Sequence, residues 1–133
     1  MEIVIARPPM FEEIDATFNV AGKPILFAWG DKIYNPENAP VTRALQAHEY
    51  VHGTRQGHAD RNIEAWWKRY IADPQFRLEE EIPAHRAEYQ FLRRSTRDRN
   101  RWNAYLVTVA GKLASPLYGK LVTDAQARQM LRA

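Results

Sequence analysis

The sequence predicts a single α+β domain: a small N-terminal sheet or hairpin packed on one helix, with three to four further helices around it. Three observations carry that expectation. The chain has 133 residues, the size of one domain. Its short β-branched and aromatic runs lie before residue 36, punctuated by proline and glycine. Beyond residue 40 the apolar residues recur at helical spacing, with capping residues and prolines between the segments.

Residues 2–6 (EIVIA) are a β-branched run expected to form a strand, which Pro8-Pro9 ends. Residues 10–18 (MFEEIDATF) align Met10, Phe11, Ile14 and Phe18 along one side of a short helix. Residues 24–29 read as a strand, Gly30-Asp31 as a two-residue turn, and Lys32-Ile33-Tyr34 as the return strand. Asn35-Pro36 ends this hairpin, because proline donates nothing to a ladder.

Pro40 suits the first position of a helix that runs to about Gln56, where Gly57 stops it. Asp60 is placed to cap the next helix, whose apolar side is Ile63, Trp66, Trp67, Tyr70 and Ile71. Asp73-Pro74 closes it. A third long helix is expected over roughly 78–94, regular only from about Ile82 because Pro83 falls inside it. Residues 93–101 (RRSTRDRNR) hold five arginines and read as a solvated helix end and loop. A helix from Trp102 to about Lys112 follows, and Thr123-Asp124-Ala125-Gln126 is a capping box opening the last one.

Composition narrows the chemistry. With no cysteine there is no disulfide framework and no thiolate metal site, so any metal must be held by His, Asp, Glu or water. The hydrophobic fraction of 45% suffices for one core without staples. No signal peptide is visible and no window reaches the roughly 20 apolar residues of a membrane span, so a cytoplasmic location is expected. A net charge of +3 permits an anionic partner without requiring one, and the simpler reading of the arginine run is a solvated face.

The chemistry concentrates at His48-Glu49-Tyr50-Val51-His52. Histidines four apart on a helix share one face, with Cβ atoms about 6 Å apart. Both can then reach one zinc ion at Zn–N distances of about 2.0 Å. Glu49 is turned off that axis, beside the water that zinc would carry rather than on the metal. Zinc lowers the pKa of such water toward ~7, and Glu49 is the candidate general base. Val41, Leu45, His48 and His52 step along one helical stripe, so the pair continues an inward-facing seam.

Catalytic zinc commonly has three protein ligands. His58, just past Gly57, would have to fold back to serve. Glu81, His85 and Glu88 share a face of the third long helix at i, i+4 and i+7. Glu81 is the favoured third ligand and Glu88 the main rival. A competing account of Glu79-Glu80-Glu81 is an acidic run favouring a helix N-terminus.

The motif with a later glutamate on a separate helix resembles the zincin metallopeptidases of the gluzincin type. A wider pattern covers about residues 25–130: ILFAWGDKIYNP, HEYVHGTRQG, RLEEEIPAHRAEYQFL and ASPLYGKLVTDAQAR. It resembles a group of small metallopeptidase-like proteins of bacteria and phages. The resemblance implies a Zn²⁺ cofactor on His48, His52 and Glu81, Glu49 as general base, and hydrolysis of peptide bonds. It also implies an edge strand, drawn from 24–29 or 32–35, to which an extended peptide adds. The interval from His52 to Glu81 is longer than in the larger gluzincins, and their acid that orients a histidine ligand has no counterpart in the motif. His85, Tyr89 and Tyr118 are candidates for holding the oxyanion. The substrate is left open between a peptidoglycan peptide, a repressor and another protein.

A reading from a different class is a non-enzymatic binding protein. Its Arg93–Arg101 face would engage nucleic acid, with zinc structural or absent. Steeply salt-dependent binding would mark it.

Overall fold

The computed structural model describes residues 1–133. Its elements run β1 (Glu2–Val4), α1 (Phe11–Phe18), β2 (Phe27–Trp29), β3 (Lys32–Tyr34), α2 (Arg43–Gln56), α3 (Asp60–Ala72), α4 (Pro74–Ser95), α5 (Arg99–Leu113), a 3₁₀ turn (Pro116–Tyr118) and α6 (Asp124–Arg132). The class is α+β and mostly helical. Five helices accompany α2, more than the three or four expected, because the short α1 and α6 both pack as full members of the fold. No helix is long and apolar enough to cross a membrane.

The sheet has the order β1-β3-β2. β1 runs parallel to β3 with Ile3 opposite Ile33, and β2 runs antiparallel with Ala28 opposite Ile33. The hairpin turn falls at Gly30-Asp31 as expected, with Gly30 at φ 61°, a left-handed conformation open to glycine. Both strand runs are shorter than expected. The Ala6 amide turns back to the Val4 carbonyl (3.0 Å), and the Ile25 amide to that of Lys23 (2.8 Å), so residues 5–6 and 24–26 leave the ladder.

Helix starts also move. The Thr42 hydroxyl accepts from the Leu45 amide (3.1 Å), so α2 begins at Arg43 rather than Pro40, and Val41 lies outside it. Asp60 is the first residue of α3, not its cap. Asp73 caps α4 by accepting from the Gln75 and Phe76 amides (3.0 and 3.3 Å), with Pro74 in the first turn. α4 therefore starts well before Ile82 and runs through Pro83. Packing along α2 offsets the ~3 kcal/mol that an interior proline costs. Asp98 caps α5 through the Arg101 amide (3.2 Å), so only residues 96–98 of the arginine run lie outside a helix. The capping box at Thr123 and Gln126 forms as expected, with both bonds near 3 Å.

Two apolar clusters flank the centre. Phe11, Ile14, Val20, Phe27, Trp29, Ile63, Trp66 and Trp67 join α1, β2 and α3. Leu78, Tyr89, Leu106, Val109, Ala110, Leu113, Tyr118, Ala127 and Leu131 join α4, α5, α6 and the 3₁₀ turn. Between them α2 crosses against α4, and its buried residues are His48, Glu49, His52, Gly53 and Gln56. The buried side chains of α2 are all polar, so they have to be satisfied by polar contacts.

The hairpin is locked to α2 at Gly53. A Cβ there would lie 2.0 Å from the Gly30 carbonyl oxygen, so only glycine allows this approach. One turn on, the Gln56 amide group donates to the Ala28 carbonyl (3.0 Å) and accepts from the Gly30 amide (2.8 Å).

Candidate metal centre

α2 presents Leu45, His48 and His52 to a cavity of about 540 Å³, and α4 presents Glu81, His85 and Glu88 from the facing side. The expected stripe thus begins at Leu45. His48 Nε2 and His52 Nε2 are 3.1 Å apart, and Glu81 Oε1 lies 3.2 Å from the first and 2.9 Å from the second. These three atoms form a nearly equilateral triangle. Around a tetrahedral zinc with bonds of about 2.0–2.1 Å, ligand atoms stand about 3.3 Å apart. The triangle comes within about 0.4 Å of that spacing on every side.

One buried nitrogen of the cluster has no partner, with or without a metal on the Nε2 side. His52 Nδ1 is buried without a partner. If His52 Nε2 donates to Glu81, Nδ1 is an unpaired acceptor. If Nε2 accepts, Nδ1 carries an unpaired proton. Either way one buried group is unmatched, at a cost of about 1–3 kcal/mol. A cation at the centre of the triangle would use all three ligand atoms at once.

Glu88 occupies a different position from Glu81. Its Oε1 is 2.9 Å from His48 Nδ1, behind the ring, and 3.4 Å from His85 Nδ1. It is aligned to orient His48 by accepting from the ring nitrogen that faces away from Glu81. His48, His85 and Glu88 also form a compact group of potential ligand atoms, though it uses the rear nitrogen of His48. Tyr105 closes that side: its hydroxyl is 3.2 Å from His85 Nδ1 and donates to the His85 carbonyl (3.1 Å).

Glu81 is held by its other oxygen. The Tyr70 hydroxyl donates to Oε2, with Tyr118 beside it. Trp66 stacks on Tyr70 at 5.0 Å and meets the His52 ring edge-on at 5.5 Å. Burial and the Glu81 charge push the Tyr70 hydroxyl well above its ordinary value, so it stays a neutral donor.

The charges divide sharply. Burial disfavours a charged His48, yet hydrogen bonds to Glu81 and Glu88 outweigh it and raise the ring from 6.5 to about 10. Burial would raise Glu81, but His52 and His48 hold it well below the carboxylate range. Glu88 is likewise drawn down against burial, to about 2, by His48 and His85. Glu49 goes the other way: burial raises it despite His48 and His52. It lines the same cavity, is 7% exposed, and makes no hydrogen bond within the protein.

The acidic run 79–81 splits into three fates. Glu79 is exposed and Glu81 joins the triangle. Glu80 is buried, accepting from Trp66 Nε1 and Arg55 Nε, both at 2.6 Å. Since α4 starts at Pro74, the run lies beyond the helix N-terminus, and that account of it fails. Arg55, in the last turn of α2, is a partner of Glu80.

Other sequence candidates separate cleanly. His58 is exposed between α2 and α3, away from the cavity. Tyr89 stacks on Tyr105 within the core, whereas His85 and Tyr118 line the cavity. Both tryptophans of α3 are buried. Arg93 packs over Tyr89 and Trp102, while Arg94, Arg97, Arg99 and Arg101 are exposed around the α4–α5 connection. Strand 32–34 is the middle strand of the sheet, so the expectation that it receives a peptide is overturned.

Sequence reasoning missed Glu88 as an orienting group, Tyr70 as a holder of Glu81, and the Glu80 pair. The i, i+4, i+7 alignment of Glu81, His85 and Glu88 signalled the first. Tyr70 was masked by its helical spacing with Trp66 and Trp67, which reads as core packing.

Compared with protein-family models, curated proteins and solved structures, the chain matches none.

Proposed function

We propose that this protein is a zinc-dependent peptidase of zincin-like architecture, with His48, His52 and Glu81 as metal ligands and Glu49 as the proton carrier. One observation carries the reading: three ligand atoms from two helices lie 2.9–3.2 Å apart inside a cavity, beside a buried carboxylate with no protein partner. Zinc held there would lower the pKa of bound water toward ~7 and polarise a carbonyl.

The remaining work falls to the chain. Glu88 fixes the tautomer of His48, leaving Nε2 free as a donor atom. Tyr70 occupies Glu81 Oε2 and leaves Oε1 for the metal. Glu49 takes a proton from the attacking water on a carboxylate oxygen and passes it to the leaving amine. A carboxyl group raised by burial suits both halves of that transfer. His85 Nε2, 3.9 Å from Glu81 Oε1 and on the cavity wall, is a candidate donor to a developing oxyanion.

The test is Glu49→Gln. It should hold one equivalent of zinc and lose peptide hydrolysis by ~10²–10⁴-fold. Undiminished hydrolysis would remove Glu49 from the mechanism. A wild-type protein that takes up no zinc would remove the metal centre.

A further inference from the structure

The same cavity constrains how a substrate can lie. β2 is an outer strand, and the Ala28 carbonyl on its free edge is already used. The Ala28 carbonyl accepts from Gln56 Nε2 (3.0 Å) and Trp67 Nε1 (3.1 Å). Phe27, Ala28 and Trp29 are all buried. β3 is paired on both sides, and no β1 residue lines the cavity. Within the sheet, an extended chain therefore finds the Ala28 carbonyl already taken beside the candidate ligands, and Pro24, Ile25 and Leu26 line the cavity outside the ladder.

What remains is a compact chamber. Its volume of about 540 Å³ lies in the range that encloses a small ligand. Ile14, Phe18, Val20, Ile25 and Phe27 form one apolar wall. The chamber carries three carboxylates, Glu49, Glu81 and Glu88, and one lysine or arginine, Lys112. Lys112 enters none of the protein's ion pairs. The backbone in the interior of a peptide offers an ammonium only neutral carbonyls, whereas a C-terminal end offers a full negative charge.

We propose that the chamber takes short peptides by their C-terminal end, with an apolar side chain on the Ile14–Phe27 wall and the terminal carboxylate on Lys112. This rests on the peptidase reading above. The reaction consumes one water: hydroxyl adds to the acyl carbon, the C–N bond breaks, and the amine leaves with the proton that Glu49 carried.

Three peptides sharing one leucine-rich segment test it. One is short with a free C-terminus, one is short and amidated, and one is long with the segment in its interior. With zinc-loaded protein, kcat/KM for the short acid should exceed both others by about tenfold or more, as expected for a charge-assisted contact. Lys112→Ala should bring the acid-to-amide ratio close to one, mainly through KM. Equal turnover of acid and amide, or preferred cleavage of the long peptide, overturns the proposal and leaves the peptidase reading standing. If no peptide is cleaved, the peptidase reading falls. Calorimetric binding of the short acid and amide to zinc-loaded Glu49→Gln then still decides end-recognition: tighter binding of the acid, lost in the Lys112→Ala double variant, supports it, and equal binding refutes it.

Discussion

Glu88 Oε1 lies 2.9 Å from His48 Nδ1, on the ring edge opposite the one that faces Glu81 and His52. One glutamate of α4 is thus placed to bind a metal and another, seven residues later, to aim a ligand. Removing the second should weaken the centre without dismantling it. Glu88→Gln should lower zinc affinity by ~10–100-fold, read by competition with a chromogenic chelator. Glu81→Gln should cost more, because it alters a ligand atom. Unaltered affinity in Glu88→Gln would show that the carboxylate has no part in orienting His48.

Gly53 and Gly111 make a matched pair. Both lie within helices, but a Cβ at Gly53 meets the Gly30 carbonyl oxygen at 2.0 Å, while one at Gly111 meets nothing within 4 Å. Gly53→Ala should destabilise by more than about 2 kcal/mol, since the hairpin must move off α2. Gly111→Ala should stabilise by ~0.5–1 kcal/mol through helix propensity alone. Denaturant titration of the two variants separates close approach from backbone entropy.

Gln56 satisfies two backbone groups of the hairpin at once. Gln56→Ala strips the buried Gly30 amide of its side-chain partner and leaves Trp67 alone on the Ala28 carbonyl. A loss of ~1–3 kcal/mol is expected, with faster amide exchange at Gly30. Loss of zinc affinity without any loss of stability would assign Gln56 to the metal centre instead.

The metal-free protein should lose stability toward alkaline pH. His48 is raised from 6.5 to about 10, so its contribution is full below pH 6.5 and declines as pH rises through 10. Glu49, raised by burial, acts in the same sense above its ordinary 4.5. Glu81 and Glu88 act oppositely: their contribution is present above 4.5 and lost on acidification, for Glu88 toward about 2. The urea midpoint of metal-free protein should therefore fall between pH 7 and 10. Zinc uptake at pH 7 should release the His48 proton, measurable in weak buffer. A midpoint flat across that range would show that His48 is not held charged.

Much of the site was legible because it is helical. Spacing alone puts His48 and His52 on one face, and aligns Glu81, His85 and Glu88 on another. Turn and cap chemistry placed the Gly30-Asp31 hairpin and the Thr123 box, since those signals act within four residues. Starts that depend on a competing local bond were misread: Thr42 displaces Pro40 as the start of α2, and Asp73 starts α4 early enough to carry it through Pro83.

The amino-acid order by itself determined the candidate ligand types, their helical faces, and the absence of any thiolate. Only the tertiary structure decided that α4 crosses α2 so that Glu81 meets the Nε2 edge of His48 and Glu88 its Nδ1 edge. It also decided that Glu80, adjacent in the chain, turns to Trp66 and Arg55. The reason is physical. Periodicity states which side chains share a face, but the angle and offset of two packed helices are set by what fills the space between them. Here Gly53 sets how closely the hairpin approaches α2, and Trp66 and Tyr70 pack against His52 and Glu81 from the third side.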